Sequence, residues 1–268
     1  MNEDKITPRA AIQQNPTKIG GSTNHDQQIW EDIDALIKKS GMNMQDVVEN
    51  FMLFYRRVNF AKFLTHIEIF KEIVDRPGSI VECGVFKGAS FLTFLKLVEI
   101  HCPGDTLKKL IGFDTFKGFP SLSDKDGTPN PDRDLVEGGF NSEDFLPCLE
   151  EVIDLTQRDS MIPRFKRVEL VKGDVTKTIP EYVEKNPGLR ISLLHLDMDI
   201  YEPTLTALQH LYPLVVPGGI VLFDEYAMPG FPGESQAFDE YFGGEAPVMK
   251  KFPFISTPGG YFVKGSKS

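Results

Sequence analysis

"LLHLDMDIYEPT", residues 193–204, opens as an apolar run broken only by His195 and then presents two carboxylates, Asp197 and Asp199, two residues apart. A short continuous apolar run is the pattern of a strand covered on both faces, which is how strands sit in a parallel sheet. A pleated backbone sends alternate side chains to the same face. Extended geometry therefore predicts Asp197 and Asp199 side by side at the strand's carboxyl end, where like charges repel unless a cation compensates them.

The same rhythm extends in both directions. "SIVECG", "KLIGFD", "RVELVKGD", "RISLLHLDMD" and "GIVLFDEY" read as strands, and "SFLTFLKLVEI", "TIPEYVEKN" and "PTLTALQHLYPLV" between them read as helices. Strands alternating with helices give right-handed βαβ units. The expectation is a doubly wound, Rossmann-like α/β fold around a mainly parallel seven-stranded sheet. Near the end, "MKKFPFI" and "GGYFVKG" flank a Pro-Gly-Gly turn and predict a C-terminal antiparallel hairpin at the sheet edge.

Ahead of the first strand, apolar residues at helical spacing predict an N-terminal helical extension over residues 27–76, a cap or lid for the domain at 77–268. Its aromatic stripe, Phe51, Phe54, Tyr55, Phe60, Phe63 and Phe70, reads as core packing. Residues 1–26, with Pro8, Pro16, Gly20 and Gly21 and few large apolar side chains, read as a flexible tail. A long Asp/Gly/Pro-rich interval, "SLSDKDGTPNPDRDLVEGGF", precedes the helical "SEDFLPCLEEVIDLTQRD"; a loop of this length in a compact domain is functional or disordered.

The 268 residues are 41% hydrophobic and 25% charged, with a net charge of −10. That acidity argues against nucleic-acid and anionic-membrane partners, whose phosphates are gripped by Lys and Arg, and leaves a small molecule as the expected partner. Three cysteines without CxxC spacing indicate a reducing compartment. With no signal-peptide pattern and no membrane-length apolar run, the expected location is cytoplasmic.

The chemistry gathers at strand ends. "VECGVFKGAS" sets Glu82, Gly84 and Gly88 at the first strand-to-helix turn, where small residues let a ligand approach the backbone and helix amides favour an anionic group. GxGxxG is missing, which disfavours an NAD-linked oxidoreductase. Asp114 ends the second strand, where doubly wound nucleoside binders grip ribose hydroxyls. Asp174 ends the third, in position to accept from an adenine amino group or to cap the next helix. Asp197 and Asp199 belong beside Asp224 and Glu225 of "LFDEY" on the neighbouring strand. Four carboxylates in one cleft suit a hard cation such as Mg²⁺. His195, inside the strand, reads as structural.

On "VECGVFKGAS", "IGFDTFKGFP", "LLHLDMDIYEPT", "LYPLVVPGGIVLFDEY" and "PGESQAFDEY", the sequence resembles the class I S-adenosylmethionine-dependent methyltransferases, and within them the macrocin O-methyltransferase family. The resemblance implies that the first turn, Glu82, Gly84, Val85, Gly88 and Ser90, holds the methionine moiety of S-adenosylmethionine. It implies Asp114 at the ribose, Asp174 at the adenine, and a divalent cation, typically Mg²⁺, on Asp197, Asp224 and Glu225. Asp197 and Asp199 become the catalytic pair, with Asp199 as general base toward a hydroxyl of a sugar or sugar-bearing acceptor. Catechol or phenol O-methylation is the alternative, and a non-catalytic binding module a more distant one. The family's habit of self-association extends the expectation to a homodimer or larger homo-oligomer. Two departures stand out: Glu225 replaces the Asp of many members, and the tail "KKFPFISTPGGYFVKG" lacks the histidine that some carry.

Overall fold

The computed structural model describes residues 23–163 and 165–265. The tail assigned to residues 1–26 lies outside them as far as residue 22; the first helix, α1 (Thr23–Ser40), begins inside that assignment. Two more helices follow, α2 (Met44–Glu49) and α3 (Arg57–Ile73). The aromatic stripe is not a core stripe. Phe70 is buried, but Phe51, Tyr55 and Phe60 are exposed. α3 packs onto the domain from Ala61 onward, burying Ala61, Thr65, His66, Ile69, Phe70 and Ile73.

The domain then alternates β1 (Ser79–Cys83), α4 (Ala89–His101), β2 (Leu110–Asp114), α5 (Leu146–Arg158), β3 (Val168–Lys172), α6 (Val175–Lys185), β4 (Ile191–Leu196), α7 (Tyr201–His210), β5 (Val215–Phe223), α8 (Gly233–Phe242) and β6 (Gly260–Val263). The sheet order is β3-β2-β1-β4-β5-β6, parallel except for the antiparallel pairing of β6 with β5. Every residue of β1 and β4 is buried. One face, through Val81, Cys83, Leu194, Leu196, Val221 and Phe223, packs under α6, α7 and α8. The other, through Ile80, Leu110, Leu193, Ile220 and Leu222, packs under α3, α4 and α5. Each such side chain contributes about 1.5–3 kcal/mol by leaving water, and this is what makes the strands continuous apolar runs. Among the described residues, no helix is long and apolar enough to cross a membrane.

The sheet has six strands, not the expected seven. Only half of the C-terminal hairpin forms: β6 joins the sheet, while the "MKKFPFI" segment contributes a single antiparallel bridge between Lys250 and Tyr261. Pro253 has no N–H to continue a ladder, and Phe252 instead stacks on Tyr261 with ring centroids 5.2 Å apart.

The register positions the site. Cys83 pairs with Phe113 and with Leu196, and Leu196 with Phe223. The next residues, Gly84, Asp114, Asp197 and Asp224, therefore leave the sheet along one carboxyl edge, where doubly wound folds hold ligands.

Candidate active site

The two carboxylates of the opening stretch do meet, but not through strand pleating. β4 ends at Leu196, and Asp199 takes a left-handed backbone with φ +62°, a conformation Asp tolerates better than most residues. This turn, facing the end of β5, gathers the acids. One oxygen each from Asp197, Asp199 and Glu225 lie within 4.8 Å of one another, as do ligating atoms of His195, Asp197 and Asp224.

Glu234, at the start of α8, ties the two turns together: its Oε1 accepts from the N–H of Met198 at 3.3 Å and its Oε2 from the N–H of Glu225 at 3.0 Å. Lys62 reaches in from α3, its Nζ donating to Asp224 Oδ2 at 2.7 Å and standing 3.7 Å from Asp197 Oδ2. Beneath the cluster, His195 lies between Glu82 and Asp224, at 3.4 and 3.5 Å, on the face packed under α3 and α4. His195 is thus buried, as its position inside the strand suggested, yet it is also a wall of the acidic site.

Burial dominates the electrostatics. It pushes Asp197 up to about 7, with the Asp224 charge adding to the effect. It raises Asp199 and Glu225 well above the carboxylate range, reinforced by Asp197 at the first and by Asp199 at the second. Glu234 rises to about 8, for burial outweighs its two N–H donors. Asp224 runs the other way: burial opposes its charge, but Lys62 and His195 overcome that and hold it low. His195, whose burial favours neutrality, is driven up to about 10 by Asp224 and Glu82.

Among the described residues the buried Glu225 Oε2 has no hydrogen-bond donor, and Asp224 Oδ1 has only the His195 ring nitrogen at a long 3.5 Å. An unsatisfied buried carboxylate oxygen is costly, and an all-oxygen donor set is what a hard divalent cation prefers, so the residues fit such an ion.

The cavity beside the acids runs to the ends of β2 and β3. Gly84, at φ +93°, forms its floor; a Cβ there would stand 1.7 Å from the carbonyl oxygen of Asp197, so no other residue fits the turn. Asp114 lines the cavity and accepts from the N–H groups of Phe86 at 2.7 Å and Phe116 at 2.6 Å. Asp174 also lines it and caps α6, accepting from Thr176 N at 3.0 Å. The other residues expected at the first turn lie deeper. Ser90 Oγ donates to Glu82 Oε1 at 2.7 Å, both buried, Val85 is in the core and Gly88 begins α4 against Leu149. None of these four is among the residues lining the cavity.

The long loop is part of the site. Phe119 and Phe140 from the loop stand with Phe86 and Phe231 in a chain of ring contacts of 5.5 to 6.3 Å that walls the cavity. Reading the sequence missed Lys62, Glu234, Phe86 and this wall. Glu234 lay inside the quoted "PGESQAFDEY", where an acid among small residues at a helix start was the available signal. Lys62 carried no local signal.

The family model for macrocin-O-methyltransferase (TylF) matches residues 3–251. The chain belongs to that family. It is 31% identical over 152 residues to the 8-demethyl-8-(2,3-dimethoxy-alpha-L-rhamnosyl)-tetracenomycin-C 4'-O-methyltransferase of Streptomyces olivaceus, covering 57% of this chain and 54% of that one. To the mycinamicin III 3''-O-methyltransferase of Micromonospora griseorubida it is 27% identical over 158 residues, 57% of each. The match thus spans little more than half the length of these relatives. Among solved structures it is similar to the calicheamicin methyltransferase CalS11, at TM-score 0.84 and 30% identity over 91% of this chain and 94% of that one. CalS11 is described as a TDP-rhamnose 3'-O-methyltransferase.

Proposed function

We propose that this chain transfers a methyl group from S-adenosylmethionine to a hydroxyl of a sugar or sugar-bearing small molecule, with a divalent cation at the acidic cluster. The observation that carries the reading is the meeting of Asp197, Asp199, Asp224 and Glu225 at one end of a cavity whose other end is lined by Asp114 and Asp174. Family membership supports the methyl transfer, and the sugar-modifying relatives support the acceptor class.

Bound in that cavity, S-adenosylmethionine supplies a sulfonium methyl that needs no further activation. Asp114 would hold the ribose and Asp174 the adenine side, while Gly84 leaves room for the methionine moiety. Asp197, Asp224 and Glu225 would hold the cation, whose chemistry there is that of a Lewis acid favouring an ionised acceptor hydroxyl. Asp199, held by the left-handed turn at the same end, would be kept ionised by the nearby cation and then takes the hydroxyl proton as the oxygen attacks the methyl carbon, the carbon–sulfur bond breaks and S-adenosylhomocysteine leaves. The aromatic wall of Phe86, Phe119, Phe140 and Phe231 excludes water and orients the acceptor, and alignment alone is worth several kcal/mol in a two-substrate reaction. That wall also favours a second reading, a catechol or phenol acceptor stacked on the rings.

The test is methyl transfer from S-adenosylmethionine to a panel of TDP-rhamnose, neutral rhamnosides and catechols, read by mass spectrometry with and without chelator. Product from a sugar acceptor, lost on chelation and restored by Mg²⁺, is the expected outcome. Product from catechols alone would move the assignment to the second reading. Self-association is proposed on the exposed Phe51, Met52 and Leu53, with light scattering as its check.

A further inference from the structure

We propose that Lys62 is a resident counter-cation of the carboxylate cluster, competing with a divalent ion for Asp224 and Asp197. The inference rests on the metal reading above and concerns a residue that the reading does not use. Lys62 Nζ lies 2.7 Å from Asp224 Oδ2 and 3.7 Å from Asp197 Oδ2, bridging the ends of β5 and β4. These are two of the three side chains assigned to the divalent ion, so both cations draw on the same carboxylates.

The position of Lys62 is built rather than incidental. One helical turn further along α3, the buried His66 ring stands 5.9 Å from His195 and 5.1 Å from Phe94, and Ile69, Phe70 and Ile73 lock the helix to the sheet. That anchoring aims the Lys62 stem at the cavity, which it lines. Asp197, Asp199, Asp224, Glu225 and Glu234 all converge here, and among the described residues Lys62 and His195 are the cationic side chains within ion-pair distance of them.

An ammonium on a flexible four-carbon stem can satisfy two carboxylates and then withdraw. It cannot satisfy everything: while Lys62 is in place, Glu225 Oε2 has no donor among the described residues and Asp224 Oδ1 has only His195 at 3.5 Å. A divalent ion would gain those oxygens, but its charge and the ammonium would then repel each other across the shared Asp224 and Asp197 carboxylates, so filling the site opposes Lys62 in its present position. Lys62 thereby keeps the acids assembled without metal and sets the metal concentration at which the site fills.

The experiment is isothermal titration of the full chain with Mg²⁺ and, separately, Mn²⁺, comparing wild type, Lys62→Met and Lys62→Arg, with melting temperatures of the metal-free proteins. Lys62→Met should bind either ion about tenfold more tightly, the effect of removing a competing unit charge whose own head is partly exposed, and should melt lower without metal. Lys62→Arg, which keeps the charge, should stay near wild type. If Lys62→Met fails to fold, Lys62→Gln serves in its place. Wild type that binds metal while the neutral variants bind it equally or more weakly overturns the Lys62 inference alone. Absence of binding in every variant overturns the metal reading with it.

Discussion

Asp126, in the middle of the long loop, accepts a hydrogen bond from the backbone N–H of Tyr201, the first residue of α7, at 2.5 Å. The residue at the helix's own N-cap, Ile200, has no side chain able to do this, so the loop supplies the cap from a distance. The other oxygen of Asp126 accepts from the N–H and hydroxyl of Ser123, at 2.7 and 2.8 Å, and the side chain is fully buried. Gly233 makes the approach possible, since a Cβ there would come within 2.5 Å of both Asp126 Oδ1 and Tyr201 N. The long loop is therefore pinned to the turn that carries Asp197 and Asp199.

Asp126→Ala should lower stability by about 1–3 kcal/mol, the range for a lost cap plus an unsatisfied buried N–H. Because that cap follows Asp199 by two residues, kcat should fall with it. Thermal melts and steady-state kinetics check both; an unchanged melting temperature would show that the loop is not anchored there.

Asp114→Ala should weaken S-adenosylhomocysteine binding by about 1.5–3 kcal/mol, the worth of hydrogen bonds to a charged group, as read by calorimetry. Asp114 also holds the N–H groups of Phe86 and Phe116, both at positive φ, so the variant should also melt lower. Unaltered affinity in a folded variant removes Asp114 from the ribose site.

These contacts mark where the sequence could and could not be read. β1, β2, β4 and β5 were legible because each is a local apolar run ending in a turn, and Asp114, Asp174, Asp197, Asp224 and Glu225 because strand ends are local features. Lys62–Asp224 and Asp126–Tyr201 join residues 162 and 75 positions apart, and no local pattern encodes such pairings. The seventh strand stops at the single Lys250–Tyr261 bridge, three residues ahead of Pro253. The N-terminal aromatics misled because helical spacing shows which side chains share a face without showing whether that face is covered.

The acidic cluster should make the metal-free protein less stable as pH rises. Asp197 at about 7 and Glu234 at about 8 hold protons that an unfolded chain releases near pH 4, so their contribution is complete below that value and is lost by pH 8. His195, raised to about 10 by Asp224 and Glu82 against its burial, adds a loss of the same sign at higher pH. Asp224, held low, acts oppositely, but only under acid conditions. The melting temperature should fall from about pH 5.5 to 8.5, and Mg²⁺ should raise it more at the alkaline end. Melts that are flat across this range, with and without Mg²⁺, would contradict the electrostatic account.

Asp199 and its neighbours allow the sharpest separation of roles, because oxygens of Asp199, Asp197 and Glu225 lie within 4.8 Å of one another and the position of Asp199 alone does not distinguish ligand from base. If Asp197, Asp224 and Glu225 hold the cation, Ala at any of them should weaken metal binding, and excess Mg²⁺ should restore part of the rate. Asp199→Asn preserves size and one acceptor oxygen but cannot take up the acceptor's proton. Metal and S-adenosylhomocysteine should bind it as they bind wild type, while kcat falls by about 10² to 10⁴-fold, the usual cost of a lost general base. Excess metal should not rescue it. Rising pH should, because a hydroxyl whose pKa the bound cation lowers would ionise without the base in alkaline buffer, so the rate of the variant should climb toward wild type. Loss of metal binding in Asp199→Asn would make Asp199 a ligand, whereas full kcat with metal bound would leave it a shaping residue of the turn and shift the search for the base to Asp197.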